Sequence, residues 1–330
     1  MSWEWMRGHE RQVEMFRSAI SRGHLASTFL FIGPPGVGKR SFALELAASL
    51  LCLRNGEAQL SSCGQCEACI QVAALTHPDV ILVTKPDDKM VLPIDLFVGD
   101  ADHRHRTGLC HDISLKPYSG RRKIAIIDDA DYFNQESANC LLKTLEEPPA
   151  HSLLIMLGTS EQRQLPTIRS RSQIIRFQPL NPGDIVALLQ AEQPELDPTA
   201  ARKAAEESEG SLTWARLFVD PETAEFRQLL TAALDDSRCD TVQLARDILG
   251  YVEAGGTDSP AKRARMRIVT RIAAMHYRQQ LLAAVSGVGR LPAEEVVANH
   301  LEIAIDAEGQ VDANANVSNW VEWFVDALNR

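Results

Sequence analysis

The run Gly33-Pro34-Pro35-Gly36-Val37-Gly38-Lys39-Arg40 lies between an apolar stretch, Thr28–Ile32, and a helical pattern. It has the G-x-x-x-x-G-K form of a phosphate-binding loop, which demands a strand, a tight glycine turn and a helix that starts near the lysine. In that geometry Gly33, Gly36 and Gly38 let successive backbone N–H groups converge on phosphate oxygens at a helix N-terminus, and Lys39 adds a point charge. The last position of the pattern is normally Ser or Thr, whose hydroxyl holds Mg²⁺, and this chain has Arg40 there. Ser41 follows about 100° further around the helix and is no simple substitute. The sequence therefore predicts a nucleotide-shaped pocket that lacks one catalytic part.

Four further β-type runs, Val80–Val83, Lys123–Ile127, Ser152–Leu157 and Gln173–Phe177, alternate with helical stretches. That alternation predicts an α/β fold with a parallel sheet covered on both faces. The helix after the loop carries Leu44, Ala47, Ala48 and Leu51 at one-face spacing. Asn134 is positioned to cap a second helix through Leu141, Leu142 and Leu145, which Pro148-Pro149 ends. Beyond Pro179 the β-type runs cease. Asn181-Pro182-Gly183-Asp184 reads as a turn and helix entry, with later breaks at Asp235-Asp236-Ser237 and Gly255–Pro260. The last helix aligns Val317, Trp320, Val321, Phe324, Val325 and Leu328 on one stripe, which suits an oligomer interface or an ordinary core equally. The expected organisation is a nucleotide-fold domain over residues 1–178, a small helical domain over 179–240 and a C-terminal helical domain over 241–330.

A net charge of −10 and a pI near 5.4 argue against a chain that holds nucleic acid mainly through its own field. The densest basic run is Arg121-Arg122-Lys123. No apolar run approaches the roughly 20 residues of a membrane span. Met1-Ser2-Trp3-Glu4-Trp5 lacks the basic-then-apolar form of a secretory signal. The expectation is a cytoplasmic protein whose seven cysteines are not disulfides.

Three of those cysteines, Cys63, Cys66 and Cys69, have C-x-x-C-x-x-C spacing, with Cys52 upstream and Gly64 available for a tight turn. Four thiolates with no open position suit a structural zinc ion, and an iron–sulfur cluster is the competing reading. Cys110, Cys140 and Cys239 stand alone and read as small buried hydrophobes or bystanders. His103, His105, Cys110 and His111 suggest a second metal group, but their polar stretch reads more naturally as a solvated insertion.

The strand Ile124–Ile127 runs into Asp128-Asp129-Ala130-Asp131, the form of a Walker B strand in which Asp128 would serve Mg²⁺. Active enzymes of this kind usually place Glu at the next position to polarise water. Asp129 is one methylene shorter, which moves its carboxylate by about 1.5 Å.

Three longer motifs complete the pattern. Asn139-Cys140-Leu141-Leu142-Lys143-Thr144-Leu145-Glu146-Glu147-Pro148-Pro149 follows the Walker B strand. Gly158-Thr159-Ser160 is followed by Leu165-Pro166-Thr167-Ile168-Arg169-Ser170-Arg171-Ser172. With the cysteine module inserted after the P-loop helix, residues 5–178 resemble bacterial clamp-loader AAA+ subunits of DNA polymerase III. The resemblance implies an AAA+ domain with a Cys₄ zinc module over 52–69, then helical lid and collar domains. Thr159 would be the sensor-1 residue. Arg171 matches the arginine of the family's S-R-C motif, with Ser172 in place of the cysteine. That arginine acts as a finger in the ATP site of a neighbouring subunit.

Within the family, the departures resemble the delta-prime stator type more than the gamma/tau motor type. Arg40 replaces the hydroxyl residue, Asp129 replaces Glu, and Thr213 in Gly210-Ser211-Leu212-Thr213 stands where a motor has its sensor-2 arginine, although Arg216 lies one turn on. The implied partners are gamma/tau and delta subunits in a hetero-oligomeric ring, with the sliding clamp and primed DNA reached through the complex. The chain's own ATPase is expected to be absent or weak. The alternative is a working gamma/tau-like ATPase in which Arg40 and Asp129 are tolerated.

Overall fold

Five short strands form a wholly parallel sheet: β1 (Thr28–Ile32), β2 (Val80–Val83), β3 (Lys123–Ile127), β4 (Ser152–Gly158) and β5 (Gln173–Arg176). Their order is β2-β3-β4-β1-β5, and Leu30 of β1 sits between Met156 of β4 and Ile174 of β5. The three inner strands are buried at every position, as a sheet covered on both faces requires. The computed structural model describes Trp3 and residues 5–87, 89–104, 106–236, 239–256, 259–285, 294–313 and 315–329.

Successive residues of β1 point to opposite faces and so join different cores. Phe29 and Phe31 pack with Phe16, Phe42, Leu46 and Phe177 on one face. Leu30 and Ile32 pack with Phe97, Leu141, Met156 and Ile168 on the other. The expected α/β architecture, a parallel sheet covered on both faces, is borne out.

The P-loop helix, Lys39–Leu51, departs from its predicted stripe. It is buried almost all round, Glu45 and Ser49 included, whereas Leu44 is only partly covered. One side lies on the sheet core. Another carries the cysteine module, whose short helix Glu67–Ala73 packs on it and whose Cys69 Sγ lies 3.9 Å from the Ala48 carbonyl oxygen. A helix covered on two sides has no exposed face to reveal its periodicity.

The predicted helix entries are present. Asn134 Oδ1 accepts from Ser137 N at 2.8 Å in a capping box, and the helix Gln135–Glu146 stops just before Pro148. Asn181 Oδ1 accepts from Asp184 N at 2.8 Å at the start of Pro182–Glu192. Each arrangement satisfies an N–H left over by the first helical turn.

The chain divides into two compact units, Met1–Val219 and Asp220–Arg330. The helices Pro182–Glu192, Pro198–Glu207 and Leu212–Val219 belong to the first. This division runs through the expected 179–240 segment, because the helix Pro221–Asp235 joins the second unit. There Phe226 stacks on Tyr251 with ring centroids 3.9 Å apart, and Thr223 Oγ1 lies 3.2 Å from the Tyr251 hydroxyl. The second unit also contains the helices Thr241–Ala254, Ser259–Val285, Glu294–Asp312 and Val317–Leu328. On the last of these, Trp320, Val321, Phe324, Val325 and Leu328 are buried, and Trp320 Nε1 donates to the Ala307 carbonyl at 3.1 Å. That stripe therefore forms the unit's own core and is not left open for another subunit.

Among the described residues, no helix is long and apolar enough to cross a membrane.

Candidate functional site

The carboxyl ends of β1, β3 and β4 open onto a cavity of about 390 Å³. Ligands of open α/β sheets bind in this region, outside the strand ends where the strand order reverses. Gly36, Gly38, Lys39, Arg40 and Ser41 line the cavity after β1, Asp128, Asp129 and Asp131 after β3, and Thr159 after β4. Of the residues expected in a nucleotide site, only Gly33 does not line it. Gly36 and Gly38 have φ of 77° and 98°, the left-handed region that glycine enters without a side-chain penalty.

Lys39 is folded back onto its own loop. Its Nζ donates to the carbonyls of Gly33 at 2.6 Å and Pro34 at 2.8 Å. Burial pulls its pKa down to about 8, against the opposing pull of Asp131 and Asp128. Arg40 extends from the next position to the Walker B carboxylate, with NH1 3.4 Å from Asp128 Oδ2. A cation of the protein thus occupies the approach to the carboxylate that would serve Mg²⁺. These residues do not fit the metal: the hydroxyl ligand is missing, and a permanent positive charge stands beside the remaining carboxylate.

Asp129 has a left-handed φ of 58°, and its Oδ2 accepts from Lys85 N at 3.3 Å. Burial, followed by repulsion from Asp128, raises its pKa. Asp131, which sequence reasoning did not single out, positions Thr159: its two oxygens accept from Thr159 N at 3.0 and 2.9 Å, and Gln164 Nε2 donates to Oδ1.

The helical segment after residue 179 closes the opposite side of the cavity. Leu212 N donates to the Gly36 carbonyl at 2.9 Å, and Leu212, Thr213 and Arg216 line the space. Arg216 forms a bidentate pair with Glu192, donating from Nε to Oε2 at 2.8 Å and from NH2 to Oε1. The Arg216 fork, one turn beyond Thr213, is therefore engaged at the cavity wall. His9 also lines the cavity; its Nε2 donates to the Val37 carbonyl at 2.6 Å, and burial lowers its pKa. Nothing in the periodicity of the sequence marks His9 or Glu192, because their partners lie far along the chain.

Arg171 does not line this cavity. It follows the short helix Pro166–Arg169, and its guanidinium is held by Glu146, the Thr167 carbonyl and Ser170 Oγ.

Cys52, Cys63, Cys66 and Cys69 converge, with all four sulfur atoms within 4.8 Å of one another and Cys52 Sγ 4.0 Å from Cys66 Sγ. A tetrahedral ion with metal–sulfur bonds of about 2.3 Å needs sulfurs roughly 3.8 Å apart, so the set fits a structural metal. Among the described residues no other His, Cys, Asp and Glu group converges in this way. His103 pairs with Asp100 at 2.8 Å, Cys110 Sγ donates to the Cys140 carbonyl at 3.6 Å, and His105 lies outside the described residues. Cys110, Cys140 and Cys239 are half-buried and not fully enclosed.

The basic run is not an open patch. Arg121 NH1 donates to the carbonyls of Cys52 at 2.5 Å and Asn55 at 3.2 Å, Arg122 NH2 lies 2.6 Å from Glu57 Oε1, and Lys123 Nζ lies 3.9 Å from buried Asp79 Oδ1. Arg121 and Arg122 brace the cysteine module against the sheet, while Lys123 pairs with the residue just before β2.

Residues 8–181, just over half of the chain, match the family model of the DNA polymerase III delta subunit. The chain belongs to that family. The delta' subunit of Pseudomonas aeruginosa is 35% identical to it over 160 residues, 48% of this chain and 45% of that protein. The delta' subunit of Bacillus subtilis is 32% identical over 228 residues, 69% of this chain and 64% of that protein. The gamma/tau subunit of Mycobacterium tuberculosis strain H37Rv is 34% identical over 182 residues, 55% of this chain and 29% of that protein. The chain thus spans less than two thirds of the length of each of these relatives. The part matched by the delta-subunit model contains the P-loop, the four cysteines, the Walker B strand and Arg171. The cavity wall from Leu212 to Arg216 and the whole second unit lie beyond it.

Proposed function

We propose that this chain is a non-hydrolysing, delta-prime-type subunit of a DNA polymerase III clamp loader that lends Arg171 to the ATP site of a gamma/tau-type neighbour. Arg40 carries the reading. Its contact with Asp128 puts a permanently charged guanidinium where catalysis needs a hydroxyl-bound Mg²⁺. Asp129 adds support, since its short carboxylate accepts from the Lys85 backbone. Arg171 stands apart from its own cavity and is oriented by acceptors on three sides, as suits a fork presented to another molecule.

In this reading the gamma/tau and delta subunits complete the ring, and ATP bound at the neighbouring site drives opening of the sliding clamp and its loading on primed DNA. Zinc on Cys52, Cys63, Cys66 and Cys69 would supply structural cross-linking only, since four sulfurs leave no open position. The basic run around Arg121 is engaged internally, so DNA is reached through the complex and not by this chain's own field.

The test is co-assembly with the other loader subunits, with ATPase measured with and without this chain and with Arg171→Ala. Assembly without restored ATPase is the expected result for that variant. Steady Mg²⁺-dependent turnover by the isolated chain, abolished by Lys39→Ala, would instead establish the motor-type reading.

A further inference from the structure

The cavity keeps the phosphate-loop glycines Gly36 and Gly38 and the loop lysine but lacks the hydroxyl that would hold a metal. Its glycines hold the left-handed turn, Lys39 is retained, and its volume of about 390 Å³ lies within the range of small-ligand sites. Asp128 still faces a cation, but that cation is the Arg40 guanidinium. We propose that Arg40 takes the place of the divalent ion, so that this pocket holds a nucleoside di- or triphosphate free of metal. The proposal rests on the non-hydrolysing reading above and assigns a ligand class to the same site.

The geometry of Arg40 suits that task. Only NH1 is bonded to Asp128; Nε and NH2 make no hydrogen bond to other described residues. The side chain is partly exposed at the cavity rim, so the fork can turn toward a ligand without breaking a core. A planar fork of N–H donors matches two phosphate oxygens, whereas Mg²⁺ demands near-ideal octahedral oxygen ligands and keeps its waters. Hydrated Mg²⁺ entering here would meet a like charge and find no Ser or Thr hydroxyl. Lys39 can exchange the Gly33 and Pro34 carbonyls for phosphate oxygens, as its flexible stem allows. In solution Mg²⁺ competes by complexing the nucleotide and removing the free anion that the two cations favour.

The experiment titrates the full chain with ADP and with ATP, by calorimetry, in excess EDTA and then in excess Mg²⁺. Binding in EDTA, weakened by Mg²⁺, is the expected result. Arg40→Ser should lower affinity in EDTA by about 10- to 100-fold, the equivalent of a charge-assisted hydrogen bond, and make the remaining binding stronger with Mg²⁺. Asp128→Asn, which releases Arg40 and removes a competing carboxylate, should tighten metal-free binding; thermal melts of both variants check that they fold. Binding that requires Mg²⁺, or no binding in either condition, overturns the proposal. The second of those results leaves the Arg171 assay of the assembled loader untouched, so failure of this site and failure of the subunit reading are told apart.

Discussion

Glu146 holds Arg171: Nε donates to Oε1 at 2.9 Å, and NH2 lies 2.6 Å from the same oxygen. Glu146 ends the helix Gln135–Glu146, so the run Leu145-Glu146-Glu147-Pro148-Pro149 and the Ser170-Arg171-Ser172 turn meet in space although separated in sequence. The carboxylate fixes the plane of the fork while solvent still reaches both groups.

This arrangement orders three variants. If Arg171 serves a neighbouring ATP site as proposed, Arg171→Ala should lower ATPase at that site by roughly 10³-fold or more, the magnitude typical of an arginine finger. Arg171→Lys should recover little, because a lysine cannot present a bidentate fork. Glu146→Gln keeps an acceptor in place and should cost no more than about fivefold. Its effect on the melting of the isolated chain should stay within about 1 kcal/mol, as for other exposed pairs. Steady-state ATPase and thermal melts read out all three; equal losses for Glu146→Gln and Arg171→Ala would contradict the ranking.

The cysteine cluster predicts one bound metal per chain by elemental analysis. Chelation or Cys66→Ser should release it and loosen residues 52–73 first, because Arg121 ties the Cys52 and Asn55 carbonyls to the sheet side. Hydrogen exchange should therefore rise in that segment before it rises in β1 or β4. A loss of about 3 kcal/mol would lower the melting temperature by about 6–12 °C for a unit of this size. A chain that melts identically with and without chelator would exclude a structural role for metal.

Lys39 sets a pH dependence on anion binding. Burial pulls it down to about 8, so the free chain holds it charged below that pH and neutral above. Above the terminal phosphate's own ionisation at about pH 6, nucleotide affinity should level off up to about 8 and fall by up to about tenfold per pH unit beyond it. Lys39→Arg, which stays charged, should remove the slope. The linkage to folding has the opposite sense. The folded pKa lies below the ordinary 10.5, so the unfolded chain binds more protons between about 8 and 10.5, and this group's contribution to stability rises with pH across that window.

Much of this architecture is readable from local pattern. Strands with both faces covered leave continuous apolar runs such as Thr28–Ile32 and Lys123–Ile127, and the caps Asn134 and Asn181 announce their helices one turn ahead. What stays hidden depends on contacts between distant residues. Arg40 is visibly wrong for a metal site, but only the fold puts its NH1 beside Asp128, 88 positions away. Arg121-Arg122-Lys123 looks like surface charge until Cys52, Glu57 and Asp79 are brought against it. The Val317–Leu328 helix has the same stripe whether it meets its own unit or another chain, and burial of Trp320 and Phe324 decides for its own unit. Asp131 has no motif of its own; its role appears once Thr159 and Gln164 converge on it.

Gly36 offers the sharpest test of how the helical wall joins the loop. Its φ is 77°, its carbonyl accepts from Leu212 N at 2.9 Å, and a side chain there would collide with Ser211 Oγ and crowd Thr213. Gly36→Ala should destabilise the first unit by about 1–2 kcal/mol from the left-handed backbone alone, with a further cost from the overlap. Ser211→Gly removes the obstructing hydroxyl but also the acceptor that receives Trp214 N at 3.4 Å. The single Ser211→Gly change should thus cost only a few tenths of a kcal/mol, as glycine does at a helix start. The double variant should be more stable than the sum of the two single losses predicts, by about 0.5–3 kcal/mol of coupling between touching residues. Denaturant melts of the four proteins measure that coupling directly. Strict additivity would mean that the Ser211–Thr213 segment does not press on the P-loop in solution, and the closed wall of the cavity would have to be given up.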